Sequence, residues 1–237
     1  MRYFALFMLL LATPVLVIAN TPDDNKDQEI TNELFWPQLY NRNYHTLYCA
    51  VNKPPQAKVT ITRLYPASWL EQAYGCNNKG YCNQAQYQYA KADLHNLWPA
   101  LTRYHQARGQ LPFMEIPGEN MHFVEEQCDF EKGFTGEGPS TASGITSKRN
   151  AGIEPRDYAK GEIARSILYM LWKYRLPDHG MLPLMVKWAN QYPVSHEEQW
   201  RNGAMIKLKN YKATETRLLT IKKWQIFIYP SDSRGFV

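Results

Sequence analysis

Beyond the apolar run Phe4–Ile18, the sequence has no stretch long and apolar enough to cross a bilayer, which excludes a further membrane-spanning helix. Its 4 cysteines include no Cys-x-x-Cys, and no histidine pair accompanies them, so a structural zinc centre has no ligand set. No internal repeat is visible. Nor is either charge in large excess: 27 Lys and Arg stand against 22 Asp and Glu, a formal net charge of +5. That mild basicity is compatible with a polyanionic partner and falls short of implying one.

What is present suits one globular domain. The chain has 237 residues, 44% hydrophobic and 21% charged, enough to bury a sizeable core. Arg2, the apolar run after it and the Val17-Ile18-Ala19 end read as a Sec signal peptide over residues 1–19. The alternative is an uncleaved anchor. A cleaved leader places the protein in the periplasm or outside the cell, free of the membrane, where thiols oxidise. Cys76 and Cys82 enclose a tight Gly/Asn-rich loop and are the first expected disulfide; Cys49 with Cys128 follows by elimination.

Residues 20–43 read as a lead-in, with Ile30, Leu34, Phe35 and Tyr40 forming a weak helical stripe broken at Pro37. Thr46–Val51 and Lys58–Tyr65 read as strands, the second alternating Val59, Ile61, Arg63 and Tyr65 with Thr60, Thr62 and Leu64. Helices are expected over Tyr87–Leu97 and Pro99–Arg108. Residues 129–153, rich in Gly, Ser and Thr, read as a long surface loop. The strongest helix is Pro155–Tyr174, with Ala159, Ile163, Ile167, Met170 and Tyr174 as its buried stripe. Met181–Asn190 and Glu197–Lys209 follow as helices, and Leu218–Tyr229 alternates like a strand.

The densest chemistry lies in Asp93-Leu94-His95-Asn96-Leu97-Trp98-Pro99-Ala100. A carboxylate, an imidazole and a carboxamide are followed at once by a helix-breaking proline. The plain interpretation is a capping Asn; the functional one is a carboxamide oxygen aimed at a ligand.

Several segments, in order, resemble the bacterial endonuclease I family of exported, sequence-nonspecific nucleases. They are Thr46-Leu47-Tyr48-Cys49, Tyr65-Pro66-Ala67-Ser68-Trp69, the Cys76–Cys82 loop, Asp93–Ala100 and Arg108-Gly109. Then come Glu154-Pro155, Ala159–Arg165, Leu168-Tyr169-Met170, Trp188-Ala189-Asn190, Tyr192-Pro193-Val194 and Arg201. The resemblance implies an α+β fold, mostly helical, around a ββα-metal core stapled by disulfides. The family-like domain is 44–209, and 210–237 diverges. It also implies a Mg2+-dependent hydrolase of DNA, with RNA as a further substrate, acting as a monomer.

In that family a strand ends in Glu-His, followed by Val-Val-Pro-Ala. The histidine is the general base, and the glutamate and an asparagine hold the cation. Asn96 falls on the asparagine, Thr62 on the glutamate and Arg63 on the histidine. Thr62 and Asn96 are thus the implied metal positions and Arg63 the general-base position. Arg63 cannot give up a proton at physiological pH, and a neutral hydroxyl replaces the carboxylate, so a weak Mg2+ site is expected. Arg108, Lys160 and Arg165 are the implied nucleic-acid contacts. His45, in the expected partner strand, is the substitute base worth testing; His105, His122, His179 and His196 read as surface or core residues. Two rival functions follow from the departures: a member that binds nucleic acid without cutting it, and an envelope interaction protein on the same scaffold.

Overall fold

The computed structural model describes residues 29–76, 85–116, 128–135 and 150–208. The expected signal peptide, Cys82, the strand Leu218–Tyr229 and the whole segment 210–237 lie outside them. Among the described residues the fold is mixed helix and sheet, with short strands paired in twos.

The first helix, α1 (Ile30–Leu39), winds in the wider π register around Pro37, which has no N–H for an α-helical ladder. Its Phe35 and Leu39, with Tyr40 and Tyr44, form an aromatic cluster against Leu94, Leu97 and Met205. Strand β1 (Tyr44–His45) pairs with β2 (Asn52–Lys53). The strand expected over 46–51 is instead the turn joining them, with Ala50 at φ 50°.

Strand β3 (Thr60–Arg63) is antiparallel to β4 (Leu97–Ala100), with Thr62 opposite Trp98 and Arg63 opposite Leu97. Pro99 is tolerated because a two-stranded sheet has only edge strands. Helix α2 (Ala67–Ala73) follows Pro66, and α3 (Ala85–Lys91) ends earlier than the expected Tyr87–Leu97 helix. The cause is local. The Asp93 carboxylate accepts from the His95 N–H and tightens Leu94–Asn96 into a single 3-10 turn, a side-chain bond that competes with helix. Helix α4 (Thr102–Arg108) begins only after β4.

The expected surface loop is overturned at both ends: β5 (Phe130–Thr135) and β6 (Asn150–Pro155) pair with Gly133 opposite Gly152. Side chains there would collide with Ile116 and Met114, so the two glycines let residues 112–116 lie across the ribbon. Cys49 and Cys128 are bonded, tying the β1–β2 turn to the start of β5 across 79 residues of sequence. Closing a loop of that length stabilises a small domain by about 2–4 kcal/mol. Cys76 is also disulfide-bonded, and its expected partner is the undescribed Cys82.

Helix α5 (Asp157–Tyr174) runs through the middle. Every residue from Ala159 to Met170 is buried, so the expected one-sided stripe is a helix enclosed on all faces. Helices α6 (Leu182–Gln191) and α7 (His196–Lys207) cover it, α7 capped by the Ser195 hydroxyl accepting from the Glu198 N–H. Full enclosure forces the polar residues of α5 to find partners inside the protein.

Candidate active site

Helix α4 lies along β3 one turn at a time. The Thr102 hydroxyl meets the Thr60 hydroxyl at 2.6 Å. One turn on, His105 Nδ1 is 3.1 Å from Thr62 Oγ1. A further turn on, the Arg108 guanidinium donates to the carbonyls of Arg63 and Leu64 at 2.5 Å each. Residues 102, 105 and 108 share a helix face, and residues 60 and 62 share a strand face. The contacts therefore follow from the two periodicities once β4 turns the chain back.

Thr62 is 1% exposed, and its hydroxyl also approaches the Tyr48 phenol at 3.5 Å. Arg108, likewise buried, lies over the Phe113 ring at 4.5 Å. Burial works against its charge, and the Tyr48 phenol offsets part of that cost. His105 is half-buried at the rim. Burial first, then the charges of Arg108 and Arg63, hold its pKa below the ordinary histidine value, so the imidazole is neutral near pH 7. Its Nε2 carries no hydrogen bond among the described residues. Arg63 leaves the other face of β3 and is anchored through Nε to the Lys91 carbonyl at 3.1 Å.

The stretch Asp93–Asn96 serves the fold. Asn96 is 0% exposed. Its Oδ1 accepts from the Tyr65 N–H at 2.6 Å and its Nδ2 donates to the Tyr65 carbonyl at 2.9 Å, extending the β3–β4 ladder by one side-chain rung. His95 Nδ1 bonds Asp93 at 2.9 Å, and its ring stacks on Tyr169 at 4.0 Å. The second Asp93 oxygen accepts from Tyr169, Tyr174 and Lys173, locking the turn to α5. Arg201 reaches in from α7 to donate to the Leu94 and Leu97 carbonyls and lies over Trp98 at 4.0 Å.

The three implied nucleic-acid contacts all have partners inside the protein. Arg108 is interior. Lys160 pairs with Glu154 at 2.7 Å and Asp157 at 2.8 Å. Burial opposes its charge, but these bonds prevail and raise its pKa. Arg165, 1% exposed, is held bidentately by Glu198 at 2.7 Å through each oxygen. The charges of Lys160 and Arg165 are thus paired within the protein. His45 belongs to β1, is exposed, and faces Asn52 rather than β3. The residue overlooked by the sequence reading is His105. Its signal was the strand period of Thr60 and Thr62 facing the helical period of Thr102 and His105 across the Pro99 break.

Magnesium wants accessible oxygen ligands, carboxylates above all. Here the Thr62 hydroxyl is buried and engaged, both ends of the Asn96 carboxamide are engaged, and Arg63 is a cation. Among the described residues no group of three or more His, Cys, Asp or Glu could hold a metal ion. The residues at these positions do not fit the cation.

The structure thus sets the half-buried His105 imidazole in the field of two guanidinium groups, Arg108 buried behind it and Arg63 anchored on the other face of β3. Residues 20–213 match the family described as Endonuclease I, and the chain belongs to that family. It is similar to "Endonuclease-1" of Buchnera aphidicola subsp. Baizongia pistaciae (strain Bp), 23% identical over 189 residues, covering 75% of this chain and 70% of that one. It is also similar to "Extracellular ribonuclease" of Bacillus subtilis (strain 168), 25% identical over 158 residues. That match covers 58% of this chain and 46% of the ribonuclease.

Proposed function

We propose that the chain is an exported, monomeric nuclease that breaks phosphodiester bonds of nucleic acid without reading sequence. Family membership and the two named relatives support the activity. The apolar N-terminal run, the Cys49–Cys128 disulfide and the extracellular relative support export. The observation that carries the reading is the Thr62–His105 contact. It holds a half-buried imidazole beside Thr62 and next to Arg63, the residue at the position of the family's base. Phosphodiester cleavage needs such a base near neutral pKa. Phosphate contacts position a polymer and carry no sequence information, which accounts for lax sequence choice. The test is direct. Purified protein should convert supercoiled plasmid, total RNA or both into shorter products, and His105→Ala should remove that activity.

The substituted pair Thr62 and Arg63 favours a second reading, a member that binds nucleic acid and leaves it intact. It requires salt-sensitive binding, no product, and weaker binding in Arg63→Ala.

A further inference from the structure

We propose that the site cleaves RNA without a resident cation, with His105 taking the proton from the ribose 2′-hydroxyl next to the scissile phosphate. This rests on the nuclease reading and narrows it to one polymer and one chemistry.

The starting point is the mismatch between the residues present and the cation expected. Without a carboxylate at position 62 and with Asn96 closed off by Tyr65, nothing at these positions activates water at neutral pH in the way a metal does. DNA offers no other nucleophile. RNA brings its own, the 2′-hydroxyl on the ribose carbon next to the one that carries the 3′-phosphate, so proximity comes from the substrate. The protein then has to supply an oriented proton acceptor and positive charge for the crowded, more negative phosphorus of the transition state.

His105 has the required placement. Thr62 Oγ1 holds Nδ1 at 3.1 Å, which leaves Nε2 as the nitrogen at the rim. The Thr62 hydroxyl is itself steadied by Tyr48, and Tyr48 is wedged against Phe130 with ring centroids 5.1 Å apart. The imidazole orientation is thus set by core packing. Arg63 and Arg108 are the cations that act on the ring; one is anchored to the Lys91 carbonyl and the other to the Arg63 and Leu64 carbonyls, so they supply positive field rather than a direct phosphate contact.

The step balances without an added reagent except water. Nε2 accepts the 2′-hydroxyl proton as the 2′-oxygen forms a bond to phosphorus. The bond from phosphorus to the 5′-oxygen breaks, and that oxygen leaves with a proton from water. The products are a 2′,3′-cyclic phosphate end and a 5′-hydroxyl end.

The experiment uses the purified full chain in EDTA with three oligonucleotides of one sequence: RNA, DNA, and RNA carrying 2′-O-methyl groups throughout. Only the RNA should be cut, and mass spectrometry should find cyclic phosphate ends. His105→Ala, purified identically, should lose about 10²–10⁴-fold in rate, the usual worth of a general base, with an unchanged far-UV circular dichroism spectrum. Cutting that requires Mg2+ and leaves 5′-phosphate ends on DNA and RNA alike overturns this inference and leaves the nuclease reading standing. Cutting of the 2′-O-methyl strand, or a wild-type rate in His105→Ala, also overturns it. No cleavage of any strand, with or without Mg2+, overturns both. Should His105→Ala fail to fold, the 2′-O-methyl and end-group results decide the matter with the wild-type protein alone.

Discussion

Asn96 and Tyr65 are joined at both ends of one carboxamide, so a side chain that reads as a ligand is a rung of the sheet. It fastens the chain just past β3 to the turn that launches β4. A backbone N–H and a backbone carbonyl depend on it in the interior.

Asn96→Ala should therefore cost about 2–4 kcal/mol, since it orphans two buried groups at 1–3 kcal/mol each, partly relieved by relaxation. Asn96→Asp should destabilise as well, because it keeps the shape but sets a carboxylate against the Tyr65 carbonyl. Urea unfolding followed by tryptophan fluorescence measures both. A metal-ligand role makes the opposite demand, that Asp be tolerated; Asp at wild-type stability would refute the rung.

Arg165 and Glu198 should behave as a buried pair. Arg165→Met or Glu198→Gln strands the remaining partner, at a cost of about 3–5 kcal/mol, and calorimetry should show a lowered melting temperature in each. The double variant should recover part of the loss. Were Arg165 a phosphate contact, the single change would weaken nucleic-acid binding in a protein of normal stability.

Much of the helical scaffold was legible in the sequence because its signals are local. Helix α5 has a strong apolar period, and α6 and α7 match their expected spans to within a residue or two at the described ends. The β5–β6 ribbon was not legible. Gly133 and Gly152 are the chemistry of a loop by composition, and they serve a strand only because Met114 and Ile116 need the space above them. Nothing nearby in sequence announces that need. The site failed in the same way. Asp93, His95 and Asn96 are polar neighbours in the chain, yet their partners Tyr169, Tyr174 and Tyr65 are remote. His105 looked ordinary because its significance comes from Thr62, forty-odd residues earlier on another element. Lys160 and Arg165 read as free on a one-sided helix; in the fold Glu154 of β6 and Asp157 of α5 itself pair with Lys160, and Glu198 of α7 with the Tyr192 carbonyl holds Arg165.

Glu162 should make stability fall as pH rises from about 4.5 to about 7. The carboxyl is buried on α5, accepts from the Ser195 hydroxyl, and is pushed up to about 7 chiefly by burial, with Glu198 adding to the effect. Its folded pKa is above the unfolded one. The folded state thus binds the proton more tightly, and no penalty applies below about pH 4.5. The penalty grows between there and pH 7 and is complete above, at about 3 kcal/mol. Glu162→Gln keeps the acceptor for Ser195 without the charge. Its advantage over wild type in urea midpoint should be near zero at pH 4.5 and largest at pH 8; a pH-independent difference would contradict the buried carboxyl.

His105 should titrate below the ordinary histidine value, and Arg63→Ala should move it upward. The groups facing the ring are the Thr62 hydroxyl on β3, the Tyr48 phenol behind it, and the cations Arg63 and Arg108. Among the described residues no carboxylate contributes to its shift; burial, Arg108 and Arg63 all lower it. Burial is the largest cause of the depression, and each guanidinium adds to it, so removing one cation relieves part of the shift. A folded pKa below the unfolded value also means that His105 favours folding above about pH 6.5, and that this contribution is lost on acidification. Two-dimensional NMR of the imidazole resonances between pH 4 and 8 reads the midpoint directly, with His105→Gln assigning the peak. A midpoint above 6.5, or one that stays in place without Arg63, would mean that the positive field at the β3–α4 junction does not reach the ring.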